Sequence, residues 1–122
     1  MNQIEYTVHF YKNTITGALP VEEYIDRLTE KQRAKVLKYI DFLRINKGYL
    51  DEPYSKHIAG KIRELRVDFG RTRHRIFYFT FVEKKVVLLH AFLKKTQETP
   101  SQEIQRAQNN YNDFIVSYDK KI

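Results

Sequence analysis

The chain has 122 residues, of which 42% are hydrophobic and 14% aromatic, and its formal net charge is +7. This length predicts a single domain over residues 1–122, the hydrophobic content excludes a disordered chain, and the absence of cysteine excludes disulfide scaffolds, thiol nucleophiles and cysteine-based zinc sites. No secretory signal opens the sequence and no apolar run reaches the roughly 18 residues that span a bilayer, so we expect a cytoplasmic protein without a membrane partner.

The first part of the chain predicts one strand and two helices. Apolar and polar residues alternate over residues 4–11, which is the period of a half-buried strand. Pro20, followed by apolar residues at spacings of three and four over 21–28, predicts a short amphipathic helix. Thr29 heads a capping box, and the longer helix that follows is expected to end at Gly48. The two helices should form an αα-hairpin.

The rest of the chain predicts three strands and one helix. Residues 49–60 are predicted to be irregular, and a two-residue period follows over 61–93. We predict three strands there, at residues 61–68, 73–82 and 85–93. The nearly continuous apolar sequence of the last two indicates that they are central in the sheet. Thr99 and Pro100 start a final helix.

These elements have the order β-α-α-β-β-β-α and belong to the α+β class. Three consecutive strands with short links form an antiparallel meander, and the first strand joins it after the helical hairpin. We therefore expect a mainly antiparallel twisted sheet, with the αα-hairpin on one face and a C-terminal helix.

Positive charge is concentrated in the middle of the chain. Residues 56–95 hold 11 basic and three acidic side chains, a net +8, whereas the remaining residues have a net charge of −1. A local excess of this kind attracts polyanions, because each phosphate contact releases condensed counterions. The alternative is a solvated basic surface that keeps the protein soluble.

Arg71, Arg73 and Arg75 are two residues apart, so on a strand their side chains point to the same side. Unpaired guanidiniums are costly in the centre of a sheet, but on an exposed concave surface they can bind phosphates through two bonds each. The alternative is that the row lies at the solvated end of the strand and pairs with Asp68 or Glu83.

Other candidate groups lie on the neighbouring predicted strands. Glu64 precedes Arg66 by two residues and is predicted to orient a neighbouring arginine rather than to act as a base. His90 lies inside an apolar run, where a histidine is either a satisfied core residue or a catalytic group. Lys94 and Lys95 form either a solvated rim or, beside the arginine row, part of a cationic basin.

A basin of arginine, lysine and histidine suits RNA cleavage, in which the 2′-hydroxyl attacks its own phosphodiester. Negative charge grows on the phosphorane and on the departing 5′-oxygen, where preorganised cations stabilise it. A histidine, or a lysine with a lowered pKa, can move the protons. No histidine spacing indicates a metal site, and we expect no cofactor. We predict RNA contacts for Lys61, Arg63, Arg71 and Arg73.

An ordered set of short motifs covers roughly residues 60–107. It comprises Glu64-Leu65-Arg66, Arg75-Ile76 before an aromatic strand, Leu89-His90-Ala91-Phe92 with Lys94-Lys95, Thr99-Pro100, and Glu103-Ile104 before Ala107. This set resembles the RelE/HigB superfamily of bacterial toxins, and within it the HigB-like, phage-derived branch. The resemblance implies a RelE-like fold, with which the strand and two helices that precede the motifs agree.

The resemblance also implies a function and partners. It implies the toxin of a type II toxin–antitoxin system, a ribosome-dependent, metal-independent endoribonuclease that cuts mRNA in the A site. Its partners would be the ribosome with its mRNA and a cognate antitoxin, typically a small helix-turn-helix protein. Carried over by position, the implied catalytic residues are Arg66, Arg75, His90, Lys94 and Lys95. Among them, Arg75 matches the arginine that stabilises the scissile phosphate.

The resemblance stops in the last predicted helix. Members of the branch often carry a basic residue shortly after the alanine, but here Ala107 is followed by Gln108, Asn109 and Asn110. No motif is matched from there to residue 122, so the sequence leaves the role of residues 108–122 open. Two other functions stay open: a non-enzymatic ParE-like inhibitor of DNA gyrase, and a catalytically inactive nucleic-acid-binding relative.

Overall fold

Five strands and three helices make up residues 5–119, the part of the chain that the computed structural model describes. In chain order they are β1 (Thr7–Phe10), α1 (Pro20–Asp26), α2 (Glu30–Ile45), β2 (Ser55–Ala59), β3 (Ile62–Phe69), β4 (Thr72–Phe81), β5 (Lys85–Leu93) and α3 (Ser101–Asp119). The α+β class is as predicted, but the order β-α-α-β-β-β-β-α contains one strand more than we predicted. Ile4, the first residue of the predicted N-terminal strand, and residues 120–122 of the unmatched tail lie outside the described residues.

The additional strand, β2, corrects the prediction that residues 49–60 are irregular. It pairs antiparallel with β3, and the register shifts between His57 and Ala59. Five residues with a register shift give too short a run of alternation to indicate a strand. Ser55 anchors this edge strand, since its fully buried hydroxyl is hydrogen-bonded to Tyr78 Oη at 2.7 Å.

The strands form one sheet in the order β1-β5-β4-β3-β2. The neighbouring pairs within β2 to β5 are antiparallel, while β1 runs parallel to β5. The predicted meander is therefore present, and the first strand joins it beside β5. The sheet is mainly antiparallel, as predicted, but mixed.

Helices cover both faces of the sheet. Ile76 and Tyr78 of β4 lie in the core beneath the hairpin of α1 and α2, whereas Phe77 and Phe79 lie in the core beneath α3. This division follows from the alternation of side chains along a strand. The predicted packing of the αα-hairpin on one face is confirmed. None of these helices, described as far as Asp119, combines the length and apolar composition that crossing a membrane requires.

Side-chain bonds fix the αα-hairpin. The Thr29 hydroxyl accepts a bond from the backbone N–H of Gln32 at 3.3 Å, so the predicted cap of α2 is present. In the first turns of α2, Arg33 donates to the carbonyl oxygens of Ile25 and Leu28 at 3.3 and 3.0 Å. Carbonyls at the end of a helix lack partners within it, so one guanidinium satisfies this end of α1 and joins the two helices.

Gly48 brings the chain after α2 into close contact with the sheet. Its φ of +81° lies in the left-handed region, and a Cβ at this position would overlap the Cγ2 methyl of Thr80. Its carbonyl oxygen accepts a bond from the buried hydroxyl of Tyr78 at 3.1 Å. The glycine predicted to end the helix therefore also permits this approach to β4.

His74 of β4 links the sheet to both helices of the hairpin. Its Nε2 donates to Gln32 Oε1 at 2.8 Å, and its Nδ1 lies 2.7 Å from Tyr24 Oη, a hydroxyl that can donate to this nitrogen when the imidazole is neutral. Burial, and then the positive charge of Arg75, lower the pKa of His74, although Asp68 acts in the opposite direction. The folded protein therefore disfavours protonation of this ring.

We predict that Gly48→Ala lowers the free energy of unfolding by about 3 kcal/mol, through left-handed strain and steric overlap. The matched control is Gly70→Ala, which has a similar φ of +60° but no atom within 4 Å of the added Cβ. In urea unfolding, Gly70→Ala should lower the free energy of unfolding by only about 1 kcal/mol. Thr80→Ser, which removes the overlapping methyl, should recover most of the difference, and equal losses at both glycines would contradict this explanation.

We also predict that stability falls as the pH decreases below 6.5, the ordinary pKa of histidine, because the unfolded chain then binds a proton that folded His74 disfavours. Urea unfolding between about pH 8 and pH 5 measures this dependence. In His74→Gln, the unfolding free energy should depend less steeply on pH than in the wild type. Gln32→Glu, which places a carboxylate beside Nε2, should also flatten this dependence. If His74→Gln kept the full wild-type dependence of unfolding free energy on pH, the attribution of this dependence to His74 would be wrong.

Candidate nucleic-acid interface

Cationic side chains gather on the side of the sheet that packs against α3. Arg66 of β3 lies directly across from Arg75 of β4. Alternation places Arg73 and Arg75 on the same side as Phe77, whose ring lies in the core beneath α3. The backbone N–H of Lys94, after β5, bonds to the Arg73 carbonyl at 2.9 Å. The sheet thus brings cations from three neighbouring strands to one place.

A buried carboxylate, that of Glu64, lies within this group. One of its oxygens accepts a bond from Arg66 Nε at 3.0 Å, and the other accepts a bond from Thr99 Oγ1 at 3.3 Å. Arg75 Nε lies 4.0 Å from the first oxygen. A fully buried charge without partners would be strongly unfavourable, so these groups compensate one another. The contacts agree with the prediction that Glu64 orients a neighbouring arginine.

Arg75 is only 6% exposed and is held from two sides. Its Nη1 donates to Asp68 Oδ1 at 2.7 Å and to the carbonyl oxygen of His74 at 3.0 Å. Its buried Nε has no hydrogen-bond partner among the described residues. Of the two acidic partners considered from the sequence, Asp68 pairs with the arginine row, whereas Glu83 bonds to Lys85 at 2.7 Å.

Lys94 has a lowered pKa. Partial burial is the first cause, and the positive charges of Arg75, Arg66 and Lys56 act in the same direction, while Glu64 opposes them. These charges act on Lys94 from β2, β3 and β4, so the ammonium lies where the cations of the sheet converge. Close cations favour the neutral amine, which makes Lys94 easier to deprotonate than an ordinary lysine.

An open depression of about 350 Å³ lies at the end of β4 and β5, and we name it the cationic hollow. It is lined by Arg71, Thr72, Arg73, Leu93, Lys94 and Lys95. Four of these six lining residues are cations and none of the six is acidic. The structure therefore brings together two predicted RNA-binding arginines and two predicted catalytic lysines.

His90 faces the same side of the sheet but is engaged by α3. A register shift after Phe77, which pairs with His90, makes Leu89 the extra residue of a bulge. His90 Nε2 lies 2.9 Å from Glu103 Oε1, and the ring stacks on Phe92 with centroids 6.0 Å apart. These contacts correspond to the alternative of a satisfied core histidine.

Two predicted RNA-binding residues lie away from the cationic hollow. Arg63 and Arg66 are three residues apart on β3, so they face opposite sides of the sheet. Arg63 instead donates from Nε to Ser55 Oγ at 3.2 Å, and its Cζ lies 4.8 Å from the centre of the Tyr49 ring. Lys61 lies just before β3, in a groove beside α3 and at the opposite end of that strand from the hollow.

Sequence reasoning missed three polar residues that complete this region. Lys56 lies across from Glu64 in the β2–β3 register, and it was overlooked because β2 itself was not predicted. Thr99 was predicted only as a helix cap, and Glu103 only as part of a motif. The position of Glu103 in the first turn of α3 is the signal that could have indicated its contact with His90.

The cations of the hollow can bind the phosphates of a nucleic-acid backbone through their charge and through guanidinium hydrogen bonds. The exposed cations of the hollow would make the contacts, whereas the charges of Arg66 and Arg75 beneath them are compensated by Glu64 and Asp68. Residues 5–119 contain no group of three or more histidine and acidic side chains that could hold a metal ion.

Comparison with known proteins identifies a family. The chain matches the family model described as Phage derived protein Gp49-like (DUF891) over residues 23–112. The matched span includes strands β2 to β5, and with them Glu64 and the cationic hollow. Comparison with curated proteins gives no match. Because the match covers more than half of the chain, the protein belongs to the phage-derived Gp49-like family, a family of RelE-like and toxin-like proteins.

Proposed function

We propose that this protein is the toxin of a type II toxin–antitoxin system, with a RelE-like fold of the HigB-like branch, and that it cuts ribosome-bound mRNA. The observation that carries the proposal is the cationic hollow, where four cations meet without an acidic residue in the lining. The backbone of mRNA is a polyanion that such a surface can bind. Membership of the Gp49-like family supports a toxin-like role.

The proposed reaction needs a proton acceptor, a proton donor and positive charge around one phosphate. The 2′-oxygen bonds to phosphorus and the bond to the 5′-oxygen breaks, which gives a 2′,3′-cyclic phosphate and a 5′-hydroxyl. Lys94 accepts the 2′-hydroxyl proton, since its lowered pKa increases the fraction of neutral amine. Lys95 donates a proton to the departing 5′-oxygen, and Arg73 stabilises charge on the phosphorane.

The other implied catalytic residues act differently in this proposal. Arg66 and Arg75 are paired with the carboxylates of Glu64 and Asp68, so in this proposal Arg75 supports the site from beneath and does not bind the phosphate through two bonds. His90 is assigned no proton transfer in this proposal, because Glu103 of α3 already engages its Nε2. The proposed partners are the ribosome with its mRNA, and a cognate antitoxin of the helix-turn-helix type that would restrain the toxin.

One set of contacts favours a second candidate, a protein that binds without cleaving. Arg66, Arg75 and His90 are each engaged by a carboxylate, and Arg75 is almost fully buried. A gyrase inhibitor of the ParE-like kind, or an inactive nucleic-acid-binding relative, would need the exposed cations but no proton transfer. This candidate therefore differs from the first in its dependence on the amine of Lys94.

We predict that the purified protein cleaves mRNA in a reconstituted translation reaction and leaves the same mRNA intact when ribosomes are omitted. Lys94→Gln should lower the cleavage rate about 100-fold, because it removes both a proton acceptor and a positive charge. The matched control is Lys31→Gln, the same change at an exposed site in the first turn of α2. It should cleave as the wild type does, and primer extension on the recovered mRNA measures the rates.

Full cleavage by Lys94→Gln would contradict the proposed site. Intact mRNA in the presence of the wild-type protein, together with induction of DNA-damage signalling on expression, would contradict the nuclease and favour the gyrase inhibitor. Intact mRNA with salt-sensitive RNA binding alone would favour the inactive relative.

A further inference from the structure

A second hollow, of about 330 Å³, lies at the free edge of the sheet, and we name it the β2-edge hollow. It is lined by Tyr49, Glu52, Ser55, Lys56, His57 and Arg63. It contains Arg63, the predicted RNA-binding residue that faces away from the cationic hollow. The lining combines an aromatic ring with two cations, which is a composition that suits a nucleotide.

Arg63 is held in place from beneath by a chain of buried hydroxyls. Tyr78 Oη donates to the Gly48 carbonyl oxygen at 3.1 Å, so Ser55 Oγ donates to Tyr78 at 2.7 Å and accepts from Arg63 Nε at 3.2 Å. Ser55 and Tyr78 have no solvent exposure. The guanidinium is thus fixed through its Nε.

Tyr49 forms a platform on this guanidinium. Arg63 Cζ lies 4.8 Å from the centre of the Tyr49 ring, which is the distance of a cation–π contact. Tyr49 nevertheless stays 57% exposed. An aromatic ring that is supported from one side and open to solvent can stack with a base, and it loses little freedom when it does so.

Lys56 connects this platform to the cationic hollow. It lines the β2-edge hollow, and it is also one of the positive charges that act on Lys94. The register places Lys56 across from Glu64, so at the sheet edge this lysine lies on the side that carries the cationic hollow. The exposed carboxylate of Glu52 also lines this hollow, and its negative charge disfavours the binding of additional phosphates there.

We propose that the β2-edge hollow is a second RNA subsite, in which a base stacks on Tyr49 while the adjoining phosphate binds Arg63. This inference rests on the proposed function, since the nucleotide would belong to the same strand whose phosphate enters the cationic hollow. The subsite takes unpaired RNA, because a base can stack on Tyr49 only when it is free of its own helix. It reads no sequence, since every base presents a π face.

The test is the binding of a short fluorescein-labelled RNA, 2′-O-methylated so that it cannot be cut, followed by anisotropy at several salt concentrations. We expect Tyr49→Ala to weaken binding about tenfold at every salt concentration, and Tyr49→Phe to restore it. Arg63→Gln should weaken binding and also reduce the slope of log K against log salt by about 0.7, the loss of one phosphate contact.

The matched control is Tyr54→Ala, which truncates another half-exposed tyrosine that lines a separate apolar groove. It should bind as the wild type does. Circular dichroism and urea unfolding establish that each variant is folded. Wild-type affinity in folded Tyr49→Ala, equal losses in the Tyr49 and Tyr54 variants, or no measurable binding by the wild type would each overturn the subsite.

This assay separates the subsite from the proposed function. Because the RNA cannot be cleaved, Tyr49-dependent binding by a protein that fails to cut mRNA on ribosomes would support the subsite and contradict only the nuclease. Cleavage by the wild type, together with unchanged RNA binding in Tyr49→Ala, would contradict only the subsite.

Discussion

The carboxylate of Glu64 is fully buried, and it lies among cations from three strands and beside Thr99, just before α3. A buried carboxylate in this position needs the nearby positive charges of Arg66 and Arg75, and its negative charge in turn offsets the repulsion between the two guanidiniums. Thr99 connects the same group to the start of α3. Charge compensation around one buried acid therefore determines where the cations of the candidate site can lie.

The sheet separates Glu64 and the cations around it from the contacts that stabilise its other face. His74 and Tyr78 point toward the αα-hairpin, where they bond to helix side chains and to the backbone after α2. Arg75 points toward α3, one residue along the same strand. One strand thus supports both a neutral hydrogen-bonded core and a charged surface. The two faces of the sheet are therefore connected only around its free edge, where Lys56 and the β2-edge hollow lie.

Periodicity was sufficient to predict α2, β4 and β5, because long elements repeat their pattern several times. It failed for β2, whose five residues include a register shift. Alternation also predicted that Arg73 and Arg75 share a side, but the sequence left open whether they meet phosphates or acids. The answer depends on distance, because Asp68 reaches Arg75 while no acidic residue lines the cationic hollow. Arg63 was grouped with the other cations although its odd spacing from Arg66 indicates the opposite face.

The most direct test of the dependence between these charges is a double-mutant cycle at Glu64 and Arg75, measured by urea unfolding. Glu64→Gln removes the buried negative charge, and Arg75→Met removes the buried positive charge while keeping an unbranched side chain. Each single variant should lose about 3–5 kcal/mol of unfolding free energy, and the double variant should lose at least about 1 kcal/mol less than their sum. Strictly additive losses would contradict the claim that the buried acid and the cations around it stabilise each other.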